Sequence, residues 1–175
     1  MTYAPARRGL RLVPIPLDAA MINAALQTAF FFMLRMKEFG NSSGSVDLES
    51  VVRGQDVRLT AQGAVCQRGE AGEVSVSFRK TKTDQLAFGL EQSLARSGDM
   101  VVCPVLVMQR LRDLAPERFG QGREAALPLF RWAGGQVLDR MQTQSILQES
   151  AMACGLPPER FLSHSLRIGG ATALY

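Results

Sequence analysis

The spacing of apolar residues changes twice along the chain. From Ala19 to about Phe39 Ala, Met, Leu and Phe dominate, and the segment is apolar nearly all round. That pattern predicts a buried helix rather than an amphipathic surface one. Pro14 and Pro16 keep the helix from starting earlier, and Asp18 is placed to cap it. Gly40 to Gly44, "GNSSG", ends it. The period then drops to two. Asp56 to Thr60 reads as a short strand, Gly63 to Gly72 as a second strand with a turn, and Glu73 to Arg79 as a third. In the third, Val74, Val76 and Phe78 face one way and Ser75, Ser77 and Arg79 the other. Lys80 to Gln85, "KTKTDQ", reads as a polar turn leaving that sheet.

Helical spacing returns at Pro104, a residue suited to a first helical turn, with Val105, Met108, Leu111 and Ala115 behind it. Leu127 to Gln136 shows no clear period. Thr143 to Cys154 reads as a helix with Leu147, Ala151 and Cys154 on one face, stopped by Gly155 and Pro157. Ser163 is placed to cap a last helix over Ser165 to Leu174. The predicted fold class is α+β. It is mainly helical, with a small antiparallel three-stranded sheet near the N-terminal third. The expected organisation is a basic, flexible arm over residues 1–17 and one domain over 18–175.

Composition sharpens this picture in three ways. At 175 residues and 46% hydrophobic, the chain can build one sizeable core. No apolar run is long and uninterrupted enough for a membrane span, and no signal-peptide pattern opens the chain, so an intracellular protein is expected. The three cysteines, Cys66, Cys103 and Cys154, are odd in number and far apart, which suggests reduced, buried thiols. With one histidine and no paired cysteines a metal site is not expected. The net charge of +4 is modest, and Arg7, Arg8 and Arg11 stand in a leading segment without acids. Any nucleic-acid contact must therefore rest on local patches.

Four places carry candidate chemistry. Arg35 sits inside an apolar run, where a charge is costly unless paired or used. Glu38, three residues on, could hold it, or its planar fork could grip a phosphate. His164 and Arg167 share a helical face and together suit one anion, with the imidazole able to move a proton. Gly169 and Gly170 allow a close backbone approach, most simply to another helix. Lys80 and Lys82 lie beyond a strand, as solvated turn residues or as cations reaching into a groove. Ser163 and Ser165 flank His164, but no nucleophile-elbow motif accompanies them, which weighs against a serine hydrolase.

Taken in order, these residues resemble the catalytic domain of tyrosine recombinases, the phage-type integrases. "FMLRMKEF" matches the family's Arg followed by a Glu, as Arg35 and Glu38. "FRKTKTDQ" matches its hairpin lysine, with Lys82 favoured and Lys80 second. "SHSLRIGGAT" matches its His-x-x-Arg motif, as His164 and Arg167, and its tail looks like that of eukaryotic tyrosine-recombinase retroelements. The resemblance covers roughly Asp18 to Tyr175.

It implies DNA breaking and rejoining for recombination or integration, through a 3′-phosphotyrosine and without metal or cofactor. Arg35 and Arg167 would clamp the scissile phosphate. Lys82 would protonate the leaving 5′-hydroxyl, and His164 would handle the proton near the nucleophile. Lys80, Arg79, Arg7, Arg8 and Arg11 would add DNA contacts. DNA is the implied partner, with self-association on it and no membrane. The implied compartment is the nucleus in a eukaryote, or the cytoplasm and nucleoid in a prokaryote.

The family places its nucleophilic tyrosine well beyond the His-x-x-Arg motif. Tyr175 falls within the last helix and is not favoured, and Tyr3 lies in the arm. The expectation is therefore a domain lacking its C-terminal part, which binds DNA without cleaving it and exposes some core. The alternative is a non-catalytic DNA-binding module that reuses the fold.

Overall fold

A computed structural model of the chain describes residues 16–42, 44–66, 68–79 and 89–174. The architecture is α+β. Helix α1 (Pro16–Phe31) leads into a four-residue helix α2 (Met36–Phe39). Four strands follow: β1 (Val57–Ala61), β2 (Ala64–Val65), β3 (Glu73–Phe78) and β4 (Leu90–Ala95). Then come α3 (Pro104–Leu114), α4 (Arg140–Ala153) and α5 (Ser165–Leu174). The sheet is antiparallel throughout, in the order β2-β1-β3-β4.

The expected three strands are therefore four among the described residues. β4 escapes the sequence pattern because it is an edge strand whose residues are exposed or half-buried, so "LEQSLA" shows no apolar alternation. The β1–β2 hairpin turns on Gln62 and Gly63, both at positive φ (51° and 80°). A two-residue turn with both positions left-handed matches the strands' twist.

The single helix expected over Ala19 to Phe39 is broken. Helix α1 ends in a Schellman arrangement: Leu34 N–H donates to Ala29 C=O at 2.9 Å and Met33 N–H to Phe30 C=O at 3.2 Å. Met33 takes the left-handed conformation, φ 54°, that glycine usually fills there. Leu34, 3% exposed, buries itself beneath the turn and holds it. With no glycine at the break, the sequence pattern runs straight through it.

The core is continuous from α1 through the sheet to α3. It includes Met21, Ile22, Phe39, Val74, Val76, Met108 and Leu111, and Ile146 brings in α4. Helix α3 begins at Pro104 as expected. Helix α4 begins three residues before Thr143. Asp139 caps it by accepting from Gln142 N–H at 2.8 Å, while the Gln142 side chain accepts from Asp139 N–H. Its buried residues are Thr143, Ile146 and Ala151, so of the expected face only Ala151 is buried, and Cys154 is exposed. Cys103 is buried and Cys66 half-buried, and none of the three forms a disulfide. No helix among the described residues is long and apolar enough to cross a membrane.

Candidate functional site

Arg35 is not inside a helix. It is the extended residue (φ −81°, ψ 155°) between the end of α1 and the start of α2. Glu38 holds it twice: the carboxylate accepts the Arg35 backbone N–H at 2.7 Å and faces its Nη1 at 3.2 Å. The Glu38 side chain is 6% exposed and that of Arg35 33%. The guanidinium is thus tethered from the protein side, and its other N–H groups have no partner among the described residues. The i,i+3 pairing read from the sequence is present, and it leaves the outer edge of the fork open.

Helix α5 lies against the same end of α1. A Cβ built on Gly170 would stand 2.0 Å from Phe30 C=O and 3.3 Å from Met33 Cγ, while one on Gly169 would meet the Phe30 ring edge at 3.1 Å. The glycine pair is therefore a helix-packing device, the simpler of its two expected roles. Arg167 precedes Gly170 by one turn and Arg35 follows Met33 by two residues, so the helix that carries Arg167 and the segment that carries Arg35 meet at one corner, where α5 packs on the end of α1. Arg167 is half-buried and His164 exposed, and neither side chain has a partner among the described residues. No direct bond joins Arg35 to Arg167. The two serines beside His164 do not engage it. Ser165 Oγ accepts from Leu162 N–H at 2.9 Å and faces Arg160 C=O, while Ser163 is buried. Ser165, not Ser163, makes the hydroxyl contacts at the start of α5.

Arg79 stands at the end of β3 but does not reach outward. Its Nη2 donates to Val51 C=O at 2.6 Å and faces Asp56 Oδ2 at 3.2 Å. Burial holds its pKa below the ordinary arginine value, and the Asp56 carboxylate opposes that shift. Lys80, Lys82, Arg7, Arg8, Arg11, Tyr3 and Tyr175 lie outside the described residues.

Three buried arginines escape the sequence reading. Arg118 donates to Arg131 C=O at 2.6 Å and Trp132 C=O at 3.3 Å. Arg131 bonds Pro128 C=O and Glu124, and Arg112 bonds Cys66 C=O, Gly69 C=O and Asp113. The one available signal is indirect: an aperiodic stretch such as Leu127 to Gln136 still has to satisfy its carbonyls.

A cleft of about 930 Å³ opens between β1, β2 and residues 116–122. Arg58, Arg68 and Arg112 line it, but Arg58 pairs with Glu91 and the N–H groups of Arg112 are already bonded. Only Arg68 presents an unpaired cation there among the described residues. No group of side chains suited to a metal occurs among the described residues. Compared with protein-family models, curated proteins and solved structures, the chain matches none.

Proposed function

We propose that this chain binds DNA through its phosphate backbone, with Arg35 and Arg167 as the phosphate-gripping pair, in the manner of a tyrosine recombinase catalytic domain. The observation that carries the reading is the packing of α5 on the end of α1. It brings the segment that carries Arg35 and the helix that carries Arg167, more than a hundred positions apart, to one end of α1, and each guanidinium keeps N–H donors without a partner among the described residues. Two planar forks, one of them tethered by Glu38, suit the tetrahedral, singly charged phosphodiester, whose two non-bridging oxygens accept hydrogen bonds. His164, exposed one turn before Arg167, has the chemistry to exchange a proton at the same phosphate.

In recombination, phosphate oxygens carry the charge that builds when a tyrosine attacks, and fixed cations stabilise it. Neither Tyr3 nor Tyr175 occupies the nucleophile's place in the motif order. The activity proposed for this chain alone is therefore binding, and base sequence would be read by other contacts.

The test is fluorescence anisotropy of a labelled duplex over a series of salt concentrations. Arg35→Ala and Arg167→Ala should each weaken binding about tenfold, the value of one charge-assisted hydrogen bond. Each should also flatten the salt dependence by about 0.9 in log–log slope, as one lost phosphate contact requires. Incubation with a nicked duplex should leave no covalent protein–DNA adduct on a denaturing gel. Two variants that bind as wild type would end the reading, and a covalent adduct would show that one of the two tyrosines acts after all.

A further inference from the structure

We infer that Arg79 is a positioning residue for the Arg35 corner and not a DNA contact. This rests on the phosphate-binding reading above. The sequence pattern puts Arg79 on the polar face of β3, where a solvated or DNA-facing guanidinium is expected. Its hydrogen bonds run the other way. Nη2 holds Val51 C=O at 2.6 Å, and Val51 itself is fully buried. The next residue, Val52, donates its N–H to Glu38 C=O at 2.8 Å. Glu38 then holds Arg35 by backbone and side chain.

The contacts form one unbroken path from the end of β3 to the phosphate-gripping arginine: Arg79, Val51, Val52, Glu38, Arg35. The path is fixed at its origin by Asp56. One carboxylate oxygen, Oδ2, faces Arg79 Nη2 and accepts Arg53 N–H at 2.8 Å. The Asp56 side chain is 7% exposed, so removing Arg79 strands a buried carboxylate and a buried carbonyl together. Val52 C=O accepts Leu129 N–H at 3.0 Å on the far side, which leaves the segment no slack to absorb the loss.

Two measurements on Arg79→Ala test this. Amide hydrogen exchange at Val52 should quicken about tenfold, as loss of one such bond predicts, while Leu111 in α3 exchanges as in wild type. Affinity for the labelled duplex should fall several-fold with the salt slope unchanged, because no phosphate contact is removed. Arg79→Lys, which keeps the charge and one donor, should recover part of both. A slope lowered by about 0.9 would instead make Arg79 a phosphate contact and overturn the inference. Unchanged exchange at Val52 would overturn it as well. If wild type binds no duplex, the phosphate-binding reading fails on its own, and Val52 exchange still decides whether Arg79 holds the corner. Should Arg79→Ala not fold, Asp56→Asn loosens the same path from its origin and carries the same two readings.

Discussion

The arginines of this chain divide by what their N–H groups meet. Arg112, Arg118 and Arg131 are each about 4% exposed and bonded to main-chain carbonyls, so they fasten irregular segments and present little charge outward. Burial lowers the pKa of Arg118, and Arg131 close by acts in the same direction. Arg35 belongs to neither the buried nor the solvated group, and Glu38 is the reason. A carboxylate that is buried and bonded to both the backbone and the side chain of one residue fixes that residue's conformation as well as its charge. Glu38→Ala removes the acceptor of a part-buried N–H and frees the guanidinium to wander. Chemical denaturation should show a loss of about 2 kcal/mol, the cost of one buried polar group left unsatisfied plus a lost charged bond. Glu38→Gln can still accept the Arg35 N–H and should keep more than half of that stability. Equal losses in the two variants would mean that the ion pair matters and the backbone bond does not.

At the scale of elements, the glycine pair of α5 is the clearest device. A methyl on Gly170 would overlap Phe30 C=O, which is backbone and cannot turn aside, whereas a methyl on Gly169 meets only an aromatic edge that can shift. Gly170→Ala should therefore lower stability by about 1–3 kcal/mol through overpacking and weaken DNA binding together with it. Gly169→Ala gains helix propensity of up to about 1 kcal/mol and should be close to neutral. Thermal melts of the two variants check the contrast, and equal behaviour would mean that α5 does not sit on Phe30. This glycine pair was legible in the sequence, as were Pro104 at the head of α3 and the buried Val74, Val76 and Phe78 of β3, because each rests on local chemistry, whereas Ser75 on the expected polar face is buried as well. The break after α1 was not, since a methionine fills the left-handed position where a glycine would have signalled it. β4 was hidden because it buries too little to alternate, and the inward bonds of Arg79 were hidden because its partners lie far back in the chain, at Val51 and Asp56.

For the whole molecule, what the fold leaves uncovered matters as much as what it buries. Met100, Val101 and Val102 stand 83%, 62% and 47% exposed in one loop, and Met141, Met152 and Ile168 are 82%, 64% and 59% exposed on α4 and α5. A net charge of +4 gives modest repulsion to oppose contact between such surfaces, and the buried arginines contribute little to the outward field. Ile168 adjoins Arg167, so apolar association at α5 and the proposed phosphate binding at the corner would compete for the same helix. Sedimentation velocity without DNA should therefore show self-association at about micromolar concentrations and above. Met141→Gln with Ile168→Gln should reduce it, since both side chains are exposed and their replacement removes no core contact. Adding duplex to wild type should also dissolve the α5-mediated part of that association, because the helix then faces DNA. A wild-type chain that sediments as a monomer at every concentration, and melts sharply and reversibly, would show that these apolar surfaces are too scattered to drive contact.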